Sequence, residues 1–598
     1  MNDFQNPQQE PGSQKRLLLA FALTFLVIAL MQPLITRYTK RAAPPPVPQA
    51  TAPAPAPQAQ PAGEATVQAA KPSPPGTVAT RQATSEQQTV IENDLYRITF
   101  TNRGAQVKSW ILKKYSNERG EPLELVNAIA APKYGYPLSL WTHDAGLRKR
   151  LNEVLYVGSA SGEQRAAASL TFEYADQGLV VRKDFRFDHS YVVTVETSVE
   201  TGGSPVQAFP AWPAGFGDQT MLASYAAARI EYQFGNKIER LEPKKVSGGN
   251  TIRGPFHWAG TVDQYFGAVF LPEEPENAVL VTLHESIQIP KNLDKPDPNQ
   301  MQQVSVLGAA VGSVTGVTRE RVFVGPKALD VLESVHASLT REERAAMGPG
   351  GEGEYHGPDL SGLVDFGSWF GFIAKPLFTW LKWTHDHWVP NWGWAIVILT
   401  VVINVAMFPL KWTTMKSSLK MQKVQPQIKA IQEKYKKYKL TDPRRGDMNK
   451  EVSEVYKREG VNPVGGCIPM LLQMPFLFAF YTMLGVAIEL RHASWLWVRD
   501  LSAPDPYHIL PIGIMVTMFL LQKMTPTGGM DPTQQKMMAF MMPLMIGAIS
   551  WSLSAGLGVY WMLGNIIAIV QQVIVNRTAF GREMREHMEK QARKRHAK

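Results

Sequence analysis

Long apolar segments constrain this chain more than any other feature. One of 19 residues lies at 17–35, directly after Lys15 and Arg16. At 1.5 Å per residue, a helix of that length crosses a hydrocarbon core of about 30 Å. Five further apolar segments lie at 393–410, 466–488, 508–524, 537–553 and 556–575. The sequence therefore predicts a multi-domain, polytopic α-helical membrane protein with six transmembrane helices.

The first apolar segment has two interpretations. A cleaved signal peptide is one, but the segment exceeds the usual apolar run of about 7–15 residues and no clear small-residue cleavage site follows it. We predict an uncleaved anchor, so that residues 1–41 form a short cytoplasmic segment and a transmembrane helix. Residues 42–88 are rich in Ala, Pro and Gln, which favours extended chain over a packed core. We interpret them as a linker.

Short runs of alternating apolar and polar residues follow the linker. Leu95–Phe100 and Tyr191–Val195 are examples, and Gly, Pro and Asn separate such runs. The pattern predicts a β-sandwich domain at 89–362. It contains neither HExxH nor GxSxG, and its one match to GxGxxG, at 348–353, reads as a loop because no strand precedes it. A pair of catalytic carboxylates stays open, but we expect a structural or ligand-contacting domain.

Residues 363–390 alternate bulky aromatic side chains with few charges. This segment is too interrupted for a span, and its Trp and Phe residues with Lys375 and Lys382 are typical of an amphipathic helix in the membrane interface. We interpret His385 and His387 as solvated rather than metal-binding. Because Cys467 is the single cysteine, a disulfide framework and a CxxC metal or redox site are excluded. The sequence predicts no metal site and no cofactor.

Lysine and arginine are unevenly distributed among the connecting segments. Residues 413–463 carry 13 lysine and arginine residues against 6 acidic residues, and the tail 577–598 carries 8 against 3. The segments 489–507 and 554–555 are poor in lysine and arginine. Positively charged segments stay on the cytoplasmic side of a membrane. With six spans, both termini then lie in the cytoplasm and the β-domain lies in the periplasm.

The segment 413–463 predicts a cytoplasmic hairpin of two helices, near Met415–Tyr438 and Met448–Glu459, with a turn at 441–446. Its basic face and the basic tail suit either anionic lipid or ribosomal RNA, and the pattern does not separate these partners. The candidate contact residues are Arg444, Arg445, Arg593, Lys594 and Arg595.

The predicted spans carry polar residues but no charge near their centres, so the sequence offers no proton relay or coupling-ion site. Thr400 and Asn404 lie one helical turn apart, and Lys411 repeats their face seven residues later. Such a stripe suits a hydrated groove that opens to the cytoplasm, although hydrogen bonds between helices are the alternative role. Methionine is also concentrated here: 19 of 24 lie from Met407 onward. Flexible thioethers suit a surface that accepts varied apolar partners, or ordinary core filling.

Short motifs in a fixed order carry a resemblance to a known family. They are Asn391-Trp392-Gly393-Trp394, Phe408-Pro409-Leu410, Lys420-Met421-Gln422 with Gln425-Pro426, Asn462-Pro463-Val464-Gly465-Gly466-Cys467, Gln473-Met474-Pro475, Asp500-Leu501-Ser502-Ala503, Gln522-Lys523-Met524-Thr525-Pro526, and Gly556-Leu557 before Tyr560-Trp561. In this order they resemble the bacterial branch of the YidC/Oxa/Alb membrane protein insertases. The resemblance covers about 390–575 closely and extends loosely to Tyr265-Phe266 and Val324–Lys327.

This resemblance implies an insertase and chaperone of the inner membrane. It implies a five-helix core at 391–576 including the hairpin, a leading anchor helix and a periplasmic β-supersandwich. Nascent membrane proteins would be the substrates, inserted by this protein alone or together with the Sec translocon. The ribosome and anionic lipids would be further partners, and a monomer would suffice. No catalytic residue, cofactor or metal is implied, so the protein is not expected to be an enzyme.

The resemblance also implies a substrate groove. Carried over by position, its lining would be Thr400, Asn404, Gln473, Met474, Tyr481, Met515, Tyr560 and Trp561. One departure matters, because many family members carry an arginine where this chain has Asn404. Either Lys411 or Lys416 then supplies positive charge at the groove mouth, or hydration alone suffices.

Two other classes of protein were weighed. A secondary transporter predicts an internal repeat and a coupling-ion site, and the sequence shows neither. An anchored periplasmic carbohydrate-binding protein or enzyme would account for the β-domain, but leaves five later spans unexplained. An insertase needs no catalytic group, since burial of substrate apolar area at about 25 cal/mol per Å² drives transfer into lipid.

Overall fold

A computed structural model describes residues 80–578 and Arg582, apart from 221, 292–296, 298, 348–356, 368–369, 436–437, 439–441, 461–467 and 525–531. The predicted anchor helix, most of the predicted linker, the 348–353 loop and tail residues Arg593, Lys594 and Arg595 lie outside the described residues.

The part of the chain between Gln88 and Pro326 is built from strands, as the alternating pattern predicts. In chain order they are β1 Gln88–Glu92, β2 Tyr96–Thr101, β3 Gln106–Ser116, β4 Pro122–Glu124, β5 Ser139–Trp141, β6 Val157–Gly158, β7 Gly162–Arg165, β8 Ala168–Asp176, β9 Leu179–Phe187, β10 Val192–Thr201, β11 Ser204–Pro205, β12 Phe209–Trp212, β13 Arg229–Phe234, β14 Lys237–Leu241, β15 Asn250–Arg253, β16 Trp258–Val262, β17 Phe266–Pro272, β18 Ala278–Pro290, β19 Met301–Ser313 and β20 Val317–Pro326.

These strands form three sheets. One has the order β4-β3-β2-β1-β7, a second has β14-β13-β16-β17-β20-β10-β9-β8-β6 with β11 beside β10, and a third has β15-β18-β19-β12-β5. All pairs are antiparallel except β1 with β7. Antiparallel sheets commonly bury one face and leave the other to solvent, and the result is a β-sandwich domain.

Strand β9 shows how the alternating pattern builds the core. Leu179, Val181, Phe185 and Phe187 point inward, while the even-numbered residues 180, 182, 184 and 186 are partly or fully exposed. Lys183 falls on the inward face and is completely buried. Its ammonium donates to the carbonyl oxygens of Gly104 at 3.2 Å, Ala105 at 2.6 Å and Leu138 at 2.7 Å. All three donors of this buried lysine are therefore satisfied.

Helices flank and follow the sheets. In chain order they are α1 Ala131–Tyr134, α2 Ala145–Glu153, α3 Leu222–Ala227, α4 Leu329–Glu333, α5 Arg341–Met347, α6 Gly371–His387, α7 Trp392–Ala406, α8 Phe408–Tyr435, α9 Arg444–Arg458, α10 Ile468–Val486, α11 Ile509–Met524, α12 Pro532–Ser550 and α13 Ala555–Arg577. Short 3₁₀ turns lie at Leu360–Leu363 and Ile488–Leu490.

The five later spans predicted from the sequence coincide with α7, α10, α11, α12 and α13, with ends that differ by up to five residues. Among the described residues, α13 alone is long and apolar enough to cross a membrane by length and composition. The other apolar helical segments are shorter: Trp392–Ala406, Gln473–Val486, Ile509–Met524 and Ala539–Ser550. The count of six spans stays a prediction.

The hairpin of α8 and α9 differs from its prediction at both helix starts. Helix α8 begins at Phe408 rather than near Met415, and α9 begins at Arg444, inside the predicted turn. The Asp442 carboxylate accepts from the Arg444 backbone N–H at 3.0 Å and from its guanidinium. An acidic side chain at this position stabilises the free N–H groups of a helix start. Helix α9 therefore begins at Arg444, two residues before Gly446, where the predicted turn ended.

The β-domain and the later helices share one continuous apolar cluster. It includes Leu329 beside the β-domain, Phe378 and Leu381 of α6, and Ile488 after α10. Polar contacts cross the same boundary: the Gln264 side chain donates to the Gly485 carbonyl at 2.9 Å. We call this boundary the periplasmic seam, defined by residues 115–118, 263–266, 327–333, 364–367, 370–386 and 485–502.

We predict that Gly393→Ala destabilises the protein. A Cβ at Gly393 would overlap the ring of Trp495, and overpacking of this kind costs about 1–3 kcal/mol, which exceeds the gain of about 0.5–1 kcal/mol in helix propensity. A lower midpoint of thermal unfolding in detergent would show it.

Gly485→Ala is the matched control. Gly485 also lies in a helix, but a Cβ there meets no atom within 4 Å, so its midpoint should stay equal or rise. Equal effects of the two substitutions would contradict the packing argument.

Candidate functional site

A chain of polar contacts runs along α7 into α8. Thr400 is completely buried, and its hydroxyl donates to the Ile396 carbonyl at 2.7 Å. Asn404, one turn later, donates through Nδ2 to the Thr400 carbonyl at 2.8 Å. The Lys411 ammonium donates to Asn404 Oδ1 at 2.8 Å, and both side chains are at most 5% exposed. The predicted polar stripe therefore exists as one connected set of hydrogen bonds.

Helix α13 joins this set through Gln571, one of two adjacent polar residues in that helix. Gln571 is buried, and its Nε2 donates to the Asn404 backbone carbonyl at 3.2 Å. Its Oε1 is buried without a hydrogen-bond partner among the described residues. The neighbouring Gln572 instead donates to Asn576 of its own helix at 3.0 Å. Gln571 and Gln572 looked equivalent in the sequence, and only the direction of each side chain separates them.

Helices α10 and α13 meet through aromatic rings. Phe480 and Tyr560 stack with centroids 3.9 Å apart and planes 13° apart. Tyr560 is 3% exposed, so this predicted groove residue lies inside the helix packing. Phe480 was not predicted, since one phenylalanine among several apolar residues gives no sequence signal.

Small residues bring α11 into contact with both neighbours. Met515 occupies the space beside Gly547 of α12, where a Cβ would overlap the thioether. Asn565 of α13 donates to the Thr517 hydroxyl of α11 at 3.1 Å, which is a hydrogen bond between two helices. The first contact packs Met515 against α12, and the second joins α11 to α13.

The predicted groove residues divide into three groups by exposure. Thr400, Asn404 and Tyr560 are buried, and Tyr481 is 53% exposed. The group of intermediate exposure comprises Gln473, Met474, Met515 and Trp561. The structure therefore brings Thr400, Asn404 and Lys411 together, while Tyr481 of α10 is largely exposed.

Two predicted electrostatic residues lie where their side chains are not described, namely Lys416 and Arg445. Arg444 is described: its guanidinium pairs with Asp442 at 2.9 Å and its side chain is 60% exposed. An exposed pair of this kind contributes little to stability, so Arg444 stays accessible to an anionic partner.

The chemistry of the buried set follows from the cost of burying charge. A buried ammonium needs acceptors with good geometry, and Asn404 Oδ1 is one such acceptor for Lys411. The described residues contain no group of three His, Cys, Asp or Glu side chains placed to hold a metal ion. The arrangement can offer hydrogen bonds and one positive charge to a polar segment.

Two family models match the chain in consecutive segments. A model described as the YidC periplasmic domain matches residues 88–380, and one described as a 60Kd inner membrane protein matches residues 383–582. The membrane protein insertase YidC of Geobacter sulfurreducens is 32% identical over 81% of this chain and 85% of its own length. The corresponding protein of Pelobacter propionicus is 33% identical over 94% and 99%. The chain belongs to the YidC family of membrane protein insertases.

A crystal structure of an active YidC insertase with its first transmembrane domain resolved is also similar. It covers 84% of this chain and 95% of its own, with 17% identity and a TM-score of 0.34. The YidC family resemblance deduced from the motifs is confirmed by the relatives and family models. The protein is an insertase of the inner membrane with a periplasmic β-sandwich domain.

We predict that Asn404 and Lys411 are energetically coupled. Asn404→Leu removes the acceptor at 2.8 Å from the Lys411 ammonium and should destabilise the protein by about 1–3 kcal/mol. Lys411→Met in the same chain should recover part of that loss, because no charge then needs the acceptor. A double-mutant cycle of unfolding free energies in detergent should give a coupling of about 0.5 kcal/mol or more. Strictly additive effects would contradict the contact.

Proposed function

We propose that substrates pass through a groove between α7, α10, α11 and α13 that is open to the cytoplasm and to lipid. The observation that carries the proposal is the hydrogen-bonded set Thr400, Asn404, Lys411 and Gln571 inside an otherwise apolar bundle. Polar groups are costly inside a membrane unless they serve one another or a passing ligand. The groove thus offers a polar segment partners that lipid does not.

Lys411 is the positive charge of this groove. The family resemblance implies that many members carry arginine at the position of Asn404, which would place charge directly on α7. In this chain the ammonium comes from the start of α8 and reaches Asn404 across seven residues of sequence. The charge therefore lies near the same point, but on a side chain of α8 that is hydrogen-bonded to Asn404.

The groove lowers a barrier and does not drive the reaction. Burial of an apolar substrate segment in lipid supplies the free energy, at about 25 cal/mol per Å². The obstacle is the polar flank, which must lose water on the way. Thr400, Asn404 and Gln473 offer that flank hydrogen bonds, and the thioethers of Met474 and Met515 accept varied apolar side chains.

The arrangement in the membrane completes the proposal. We propose that the chain crosses the membrane six times. We assign both termini and the α8–α9 hairpin to the cytoplasm and the β-domain to the periplasm, because Lys and Arg are concentrated in 413–463 and 577–598. The expected chaperone activity and Sec translocon partner follow from the family. Arg444 and Arg445, with Arg593, Lys594 and Arg595 of the tail, are the proposed contacts with the ribosome or anionic lipid.

Photo-crosslinking tests the groove. A crosslinking amino acid at Tyr481 should capture a single-span nascent chain on a stalled ribosome, and the same residue at Trp561 should do so as well. Val570 is the matched control, because it is as exposed as Tyr481 at 53% but lies on an apolar stripe with Ile566 and Ile574. Equal capture at Tyr481 and Val570 would reject the groove in favour of non-specific contact.

Moving the charge tests the role of Lys411. Lys411→Gln should slow insertion of a substrate with an acidic tail about fivefold, since loss of one ion pair at the mouth of a groove open to the cytoplasm costs ~1 kcal/mol. A neutral-tailed substrate should be much less affected. Adding Asn404→Arg to the variant restores a charge at the adjacent position and should recover insertion. Equal rates for both substrates in Lys411→Gln would remove the electrostatic part of the proposal.

A further inference from the structure

Glu489 is a carboxylate at the centre of the periplasmic seam. It lies in the 3₁₀ turn Ile488–Leu490, directly after α10. Its Oε1 is completely buried and has no hydrogen-bond partner among the described residues. A carboxylate oxygen in this state is stabilised only if it carries a proton or gains a partner. The groove does not use this residue, so its position asks for another explanation.

The surroundings of Glu489 belong to several separate elements. Apolar groups from the β-domain side, α6 and the end of α10 close on it without leaving room for a water molecule; they come from Leu329, Val364, Phe366, Phe378, Val486 and Ala487. Burial at this point therefore exists only while the β-domain, α6 and the loop after α10 stay together.

The charged groups that face Glu489 do not neutralise it fully. Lys382 and Asp386 come from α6, and Asp330 comes from α4. Lys382 is shared, because its ammonium also lies 3.2 Å from Asp330. Lys327 lines the same space, but its own ammonium donates to the Asp263 carbonyl at 3.0 Å. Tyr115 of β3 is a further neighbour.

We propose that Glu489 is a proton-operated latch, which holds the β-domain and α6 against the loop after α10 when it is protonated and releases them when it is ionised. The carboxyl form can be buried against Phe378 and Leu329 at little cost, whereas the carboxylate needs water. Glu489 as a whole is partly exposed, but its buried Oε1 gains water only when the seam opens. The periplasmic domain is thereby loosened from the membrane helices as the pH rises.

The direction follows from the pKa. Burial is the main cause that raises the pKa of Glu489 from 4.5 to about 7; a hydrogen bond from its own backbone N–H and the charge of Lys382 oppose it, and Asp330 and Asp386 add to it. The closed seam thus binds the proton more tightly than the open seam, so closure is favoured below about pH 4.5 and weakens as the pH rises to about 7. Between pH 5.5 and 8 the closing equilibrium should fall on the order of 30-fold.

A second ion pair across the same seam serves as a comparison. Lys375 of α6 and Glu333 of α4 lie 3.9 Å apart, with side chains 52% and 47% exposed. Water screens this pair, so loss of its attraction should leave the closing equilibrium nearly unchanged. Glu333→Gln is therefore a matched control for Glu489→Gln.

Fluorescence energy transfer across the seam tests the latch in the full chain. Dyes are attached at Ile129→Cys of the β-domain and Leu496→Cys of the loop, both exposed, in a Cys467→Ser background reconstituted in lipid nanodiscs. Urea is added at pH 5.5 and at pH 8, and the midpoint of the loss of transfer is measured.

We expect the unsubstituted seam to open at a lower urea concentration at pH 8 than at pH 5.5. Glu489→Gln should open at one concentration at both pH values, and Glu333→Gln should keep the shift. In Lys382→Gln, the fall in the urea midpoint should occur at higher pH, because the substitution removes the positive charge that favours the Glu489 carboxylate. A seam with equal midpoints at both pH values, or a Glu489→Gln variant that keeps the full shift, would overturn the proposal.

Discussion

The hydrogen bond between Lys411 and Asn404 is the contact on which the membrane part of this insertase depends. An ammonium so nearly excluded from solvent is tolerated only with acceptors in place, and Asn404 lies at the point where α7, α8 and α13 meet. Thr400 extends the set along α7, and Gln571 ties it to α13. A bundle with short apolar helices can hold polar groups in this way because neighbouring helices, rather than water, satisfy them.

The same principle operates at the opposite end of the helices. At the periplasmic seam, Arg491 lies over the rings of Tyr265 and Phe266 at 5.7 and 5.6 Å, and its side chain is only 8% exposed. Gln264 satisfies the Gly485 carbonyl at the end of α10. Glu489 is the exception, since its buried oxygen has no such partner. A fully satisfied contact gives a fixed boundary, whereas an unsatisfied carboxylate makes the boundary depend on a proton.

Much of the architecture follows from the sequence because it rests on local patterns. Alternation in stretches such as Leu95–Phe100 and Tyr191–Val195 predicted the strands, and the apolar segments predicted five later helices within a few residues. The polar face of Thr400, Asn404 and Lys411 was also visible, since helical spacing places them together. The ordered motifs added the family, which no single motif carries.

Long-range contacts are what the sequence could not supply. Nothing distinguishes Gln571 from Gln572, yet one bonds to α7 and the other to its own helix, because a helix rotates each successive side chain by about 100°. Phe480 stacks on Tyr560 only through the packing of two distant segments. In the sequence, Glu489 is one acidic residue in the segment that connects two predicted spans. Its burial depends on α4 and α6, more than a hundred residues earlier in the chain. Residues whose role arises where several elements meet become visible only after those elements are assembled, and in this insertase they include the contacts that join its periplasmic and membrane parts.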